Sequence, residues 1–336
     1  MTLSGFRGRG GAVVLAIAVG GVLGWWTYSR LAGALAPFAV DFTYPWRAAG
    51  HLVAGRDPYQ HMPPGPYAQS GPFLYPLPAA IVAMPVAGFS APVAGGLFFG
   101  LSSALFTYAM ARDALWRLTV LVSPAFVLSY LNIQWAPIVV AGALIPAFGW
   151  IAAAKPNLGL IALAYRPRWS MVVLAAIFVV LSIMWIPRWP LEWLDHVRMQ
   201  QAPHQPAVLW PVGAIGLLGF LRWRTPGGRT LAAMTLVPVS SLPYDHVFLW
   251  LAACTWKESV ALSVTGWIAY FIVLATAPHD LTTRPQFVQL VLALGLYVPA
   301  AIIVLRHPNA GGLPGWIERR VHLLPHWLRG RPAEAA

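Results

Sequence analysis

Acidic side chains are scarce here, ten in 336 residues, so each carboxylate able to do chemistry can be weighed singly. Asp113 and Glu258 stand beside basic residues and need no special role. Asp41 follows the first long apolar stretch and precedes the aromatic Phe42. A carboxylate at that depth, in a cleft between bilayer and water, could serve as a general base. It could equally be a solvated charge at a helix end. His246, in the pair Asp245-His246, is the other group suited to proton transfer or hydrogen bonding. Lys155 stands just before Pro156, at a break between apolar segments.

Several other chemistries lack their residues. Nine histidines invite a metal reading, but there is no suitably spaced His-Glu pair and no Asp-x-Asp motif. No metal and no cofactor is expected. Cys254 is the single cysteine, which excludes an intrachain disulfide. Gly100-Leu101-Ser102-Ser103 lacks the glycine that an intramembrane serine nucleophile would carry next, and small residues in membrane helices ordinarily serve packing. Without a Gly-rich phosphate loop, a nucleotide-dependent mechanism has no support.

The elements that must position these residues are helices in a membrane. Hydrophobic residues make up 58% of the chain and charged ones 10%, against roughly 25% charged in soluble domains. Mean hydropathy is +0.65. So little charge cannot cover a water-facing surface. The apolar runs are long and continuous, unlike the alternation of barrel strands, so the expected class is all-α and polytopic. About eight to eleven transmembrane or partial helices are expected, because several apolar runs fall short of the roughly 20 residues a full crossing needs. The net charge of +12 comes from arginines in short clusters between apolar runs: Arg166/Arg168, Arg222/Arg224/Arg229 and Arg319/Arg320. That distribution follows the positive-inside rule rather than a nucleic-acid groove, so no nucleic-acid partner is expected.

The first apolar stretch, about residues 12–36, is long for a signal-peptide core and reads as a retained first helix. Residues 37–75 break the pattern with Asp41, Asp57, prolines, glycines and aromatics, and read as an extracytoplasmic loop holding a short interfacial helix over Trp46 to Val53. Residues 1–305 are read as one polytopic membrane domain and 306–336 as a basic cytoplasmic tail. The apolar segment 76–89, if it turns back as a half-span, keeps Arg112 and Arg117 inside. No internal repeat suggests transporter halves.

The loop carries a pattern. Asp41-Phe42-Thr43-Tyr44 is followed by Ala48-Ala49, then Gly55-Arg56-Asp57-Pro58-Tyr59, then Phe73, Tyr75-Pro76 and Leu77-Pro78. This resembles the first loop of glycosyltransferase family 87, the polyprenyl-phosphate-mannose-dependent mannosyltransferases with a GT-C membrane fold. The likeness continues at Gln134, at Lys155-Pro156 with Arg166/Arg168, and at Pro238-Val239-Ser240 leading to His246. It spans about residues 12–250.

The resemblance implies that Asp41 is the catalytic base, that His246 assists it, and that the reaction inverts the sugar carbon. The implied partners are a polyprenyl-phosphate sugar donor, a glycolipid or polysaccharide acceptor, and the bilayer. Such a donor needs an apolar groove for its tail and cations for its phosphate. Lys155, Arg47 and Arg56 are the candidate phosphate ligands; Lys155 could instead be an interfacial lysine, and the two arginines could simply pair with Asp57. Tyr44, Tyr59, Tyr75 and Gln134 are the candidate substrate contacts, although aromatic belts place tyrosines at this depth anyway. The expected location is the cytoplasmic membrane with the site facing outward. A transporter or flippase of lipid-linked sugars, or a non-catalytic membrane subunit, are the competing expectations.

Overall fold

A computed structural model describes residues 9–33, 40–60, 72–199, 204–276, 285–313, 315–323 and 329. Parts of the expected outer loop (37–39 and 61–71), residues 34–36 before it, and residues 314, 324–328 and 330–336 of the C-terminal tail lie outside the described residues. The fold is 79% helical, with two strands of three residues each among the described residues, which decides for helices over a barrel. Four helices are long and apolar enough to cross a membrane, or up to six if each of two bent pairs counts as one span. Helices suit an apolar solvent because each satisfies its own backbone hydrogen bonds.

The chain divides into two compact units, residues 1–118, 127–159 and 170–202 forming the first and 119–126, 160–169 and 203–336 the second. In the first, α1 (Arg9–Ala32) packs on α4 (Ala91–Asp113). Between them come α2 (Val40–Val53) and α3 (Leu77–Ala83). α6 (Ala136–Leu144), α8 (Trp169–Trp185) and α9 (Trp189–Met199) follow, while α5 (Pro124–Asn132) and α7 (Pro156–Tyr165) contribute residues 127–132 and 156–159 to this unit and their remaining residues to the second.

Two Gly-x-x-x-Gly motifs bring α1 and α4 together. A Cβ placed on Gly24 would lie 3.0 Å from the Gly96 carbonyl oxygen, and one on Gly100 would lie 2.9 Å from that of Gly20. Ordinary C–H···O contacts run about 3.3–3.6 Å, so only glycine allows this approach. The glycines also leave an open groove of about 510 Å³ along the pair, lined by Gly20, Gly24, Trp25, Tyr28, Gly96 and Leu101. Val14, Ile17, Trp25 and Trp26 on α1, and Val173, Ile177, Val180 and Met184 on α8, are exposed. Apolar faces this continuous suit lipid rather than water.

The segment Leu77–Val86 comprises α3 and a short 3-10 turn. Its ten residues rise about 15 Å, half the thickness of the hydrocarbon core. The outer loop differs from expectation: helix begins at Val40 rather than Trp46, so Asp41 sits in the first turn of α2. Pro45 lies inside α2, where it offers no N–H to the Asp41 carbonyl and its ring crowds that carbonyl.

In the second unit, β1 (His204–Pro206) pairs antiparallel with β2 (Pro238–Ser240), His204 opposite Ser240. α10 (Pro226–Leu236), α11 (Trp256–Thr276), α12 (Pro285–Leu292) and α13 (Val298–Arg306) complete it. Its arginines hold helix ends. Arg229 donates to the carbonyls of Ala164, Tyr165, Trp223 and Arg224 at 2.8–3.0 Å, the first two being the last carbonyls of α7. Arg222 does the same for Leu305 and His307 at the end of α13. Arg224, almost fully buried, forms a two-pronged pair with Glu318. Guanidinium forks fit this work, since helix C-termini carry partial negative charge and unpaired acceptors.

Candidate functional site

The site is assembled in the first unit by two helix ends of the same design. α2 closes at Gly55, which has φ +69°, with Gly55 N–H on the Leu52 carbonyl and Arg56 N–H on that of His51. This is a Schellman ending, and glycine suits it because the left-handed conformation costs glycine nothing. α5 closes in the same way, with Ile133 N–H on the Tyr130 carbonyl at 3.3 Å and Gln134 N–H on that of Ser129 at 2.9 Å. Here the left-handed residue is Ile133, at φ 49°. A β-branched residue in that region is strained, at a cost on the order of 1–3 kcal/mol.

Packing holds Ile133 there. Its side chain is fully buried, and a Cβ on Gly95 of α4 would come within 3.2 Å of Ile133 Cδ1 and 2.7 Å of Leu31 Cδ1. Burying an isoleucine gains about 1.5–3 kcal/mol, which offsets the strain.

The turn delivers Gln134 and Trp135 into the interior, where both are fully buried. Gln134 Oε1 accepts from Lys155 Nζ at 3.1 Å. That contact fixes which end of the amide is oxygen, because an ammonium only donates. Lys155 is 7% exposed. Its carbonyl accepts the Gly159 N–H, so it is the residue that opens α7. A buried ammonium and the positive end of a helix therefore share one place. Gln134 Nε2 and Trp135 Nε1 are buried donors without a hydrogen-bond partner among the described residues. One cation and two spare donors, all buried, are groups whose chemistry suits an anion.

Rings link this centre to the segment carrying Asp41. Phe42 stacks on Phe98 at 4.0 Å, Phe98 meets Trp135 at 4.9 Å, and Trp135 meets both Phe42 and Tyr75 at 6.3–6.4 Å. Asp41 is half-buried. Tyr44, one turn on, has its pKa raised by burial first and by the Asp41 charge second, while Arg47 pulls it the other way. Burial lowers the Arg47 pKa, the Tyr44 phenol opposing. Asp41, Tyr44 and Arg47 thus form one electrostatic stripe at three-residue steps.

The remaining candidates separate by role. Tyr59 is buried, donates to the Tyr75 carbonyl at 2.8 Å and lies 5.2 Å from the Phe73 ring, so it is a strut of the loop. Its pKa is raised, mainly by burial. Tyr75 and Tyr44 are half-buried against the same core of Ala48, Leu52, Phe73, Leu77 and Trp189. Arg56 is exposed where α2 ends, and Asp57 Oδ1 accepts the Tyr59 N–H at 2.9 Å. Trp135, Phe98 and the strained turn at Ile133 were not singled out from sequence; an isoleucine gives no sign of a left-handed backbone.

His246 belongs to the second unit. It is fully buried rather than part of an open outer turn. The rings of Trp210 and Tyr297 lie 5.9 and 5.6 Å away. Its neighbour Asp245 is buried too, accepting the Ser240 N–H at 3.1 Å with His204 Nε2 3.9 Å away. The Tyr297 hydroxyl donates to the Met234 carbonyl from a π-helical turn.

Comparison of the chain with family models, with curated proteins and with solved structures gives no match.

Proposed function

We propose that the chain is a membrane glycosyltransferase that moves a sugar, mannose on the resemblance, from a polyprenyl-phosphate donor to a glycolipid or polysaccharide acceptor outside the cytoplasmic membrane. A GT-C-like arrangement of eight to eleven full and partial helices is part of this reading. The observation that carries it is the buried Lys155–Gln134 pair, with the spare donors of Gln134 and Trp135, joined through Phe42 to the helix turn that bears Asp41. Cation and amide donors suit a phosphate, and a half-buried carboxylate suits a base. The glycine-lined groove of α1 and α4 suits an isoprenoid tail.

In this mechanism the Asp41 carboxylate takes the proton of an acceptor hydroxyl. The oxygen attacks the anomeric carbon from the face opposite the phosphate, and the carbon–oxygen bond to phosphate breaks. Polyprenyl phosphate leaves with its negative charge met by Lys155, and the sugar is inverted. Tyr44 and Tyr75 line the approach, with Arg47 as a second cation. Arg56 and His246 enter on the resemblance alone.

The test is transfer from a labelled polyprenyl-phosphate mannose by the purified protein and by Asp41→Asn. The variant should insert and bind donor normally yet transfer at a rate at least a hundredfold lower, the usual scale of general-base catalysis, about 10²–10⁴. Undiminished transfer by the variant removes Asp41 from the mechanism.

A further inference from the structure

Three metal-ligating side chains of different chemistry meet in the second unit, apart from the groups discussed above. Cys254 Sγ and one ligand atom each from Glu258 and His307 lie within 4.8 Å of one another. Glu258 Oε1 is 3.0 Å from His307 Nε2. Cys254 is exposed, and the other two are half-buried. We propose that Cys254, Glu258 and His307 form a binding site for a thiophilic divalent cation, zinc above all.

The backbone under each ligand is fixed. Thr255 and Glu258 form a reciprocal cap at the start of α11: Thr255 N–H donates to Glu258 Oε2 at 3.1 Å, and Glu258 N–H to Thr255 Oγ1 at 3.3 Å. Cys254 N–H donates to the same Oε2 at 2.8 Å. One carboxylate oxygen therefore holds the cap while the other faces His307, an outer-sphere anchoring typical of metal ligands. His307 follows α13, and its carbonyl accepts from Arg222 Nε at 2.6 Å.

Ligand type selects the metal. Thiolate, imidazole and carboxylate are the zinc set, whereas calcium and magnesium prefer oxygen alone. With bonds of about 2.3 Å to sulfur and 2.0–2.2 Å to nitrogen and oxygen, tetrahedral ligands stand roughly 3.3–3.6 Å apart. From separations of at most 4.8 Å, the cluster reaches that spacing by a movement of no more than about 1.5 Å, with Cys254 exposed and its side chain free to rotate. Thiolate and carboxylate neutralise a divalent ion, which matters beside Lys257 and the positive end of α11. Three protein ligands leave a fourth position open to water or a second ligand.

Cys254 is the only cysteine, so a sulfur–metal signal reports on this site alone. The full chain in detergent, stripped with a chelator, would be titrated with cobalt(II) as a spectroscopic stand-in for zinc. One cobalt per chain should bind, with a thiolate-to-cobalt charge-transfer band in the near ultraviolet and visible bands of four-coordination, and zinc should displace it. Cys254→Ser should abolish the charge-transfer band. His307→Ala, which leaves the α11 cap intact, should weaken binding by more than the roughly 10–100-fold that loss of an outer-sphere partner costs. Absence of the band in the wild-type chain would overturn the proposal and leave Glu258–His307 an ion pair. Survival of the band in Cys254→Ser, or unchanged affinity in His307→Ala, would overturn it as well.

Discussion

Gln134→Leu should be far more damaging than its shape suggests. Leucine has a similar volume and raises local apolarity, so packing alone forecasts a small change. The Lys155 ammonium, however, is 7% exposed and loses an acceptor 3.1 Å away. A hydrogen bond to a charged group contributes about 1.5–3 kcal/mol, and breaking a buried charged pair can reach about 3–5 kcal/mol. We expect Gln134→Leu to destabilise by about 2–3 kcal/mol. Lys155→Met should cost less, because it removes the buried charge while stranding only the amide. The double variant, apolar at both positions, should be more stable than Gln134→Leu alone, giving a coupling of at least about 1.5 kcal/mol. Other contacts of Lys155 are lost in both arms that carry Met and cancel in the cycle. Unfolding by SDS in mixed micelles, followed by the fluorescence of 17 tryptophans, supplies the four free energies. A coupling below about 0.5 kcal/mol would mean the two sites act independently and would refute the reasoning. The same Lys155→Met protein should bind a polyprenyl-phosphate sugar at least about tenfold more weakly, or about 1.4 kcal/mol; unchanged binding would detach the pair from phosphate recognition.

Gly100→Val puts a Cβ 2.9 Å from the Gly20 carbonyl and should cost about 1–3 kcal/mol, whereas Gly21→Ala, with nothing within 4 Å, should be neutral in the same detergent unfolding measurement. Arg229→Leu strips donors from four carbonyls and should destabilise the second unit by about 2–4 kcal/mol, read as faster hydrogen exchange at the end of α7. Tyr59→Phe removes only the bond to the Tyr75 carbonyl; a loss near 1 kcal/mol with transfer activity retained would agree with a strut, and abolished transfer would not.

The helical membrane character was legible in the sequence because it follows from local chemistry. A chain with 10% charge and long apolar runs must satisfy its backbone internally, and only helices do so segment by segment. The short helix expected to stop at Val53 does stop there, and Gly55 beyond it supplies the positive φ that closes it. The start of α2 was less legible, because Pro45 stands inside the helix, where proline is ordinarily disfavoured.

The candidate site was legible only in its residue types. Ile133 takes a glycine's conformation because α4 offers Gly95 as a seat for its side chain, and nothing near position 133 announces that. Lys155 meets Gln134 across 21 positions, and Cys254, Glu258 and His307 converge from the two ends of separate helices. Arg222, Arg224 and Arg229 read as a topological charge signal and prove to be clamps on carbonyls and on a carboxylate. Spacing along a chain fixes which residues share one helix face. Which faces meet is decided by packing among helices, where a missing Cβ or a strained turn moves a side chain by the ångströms that separate a contact from none.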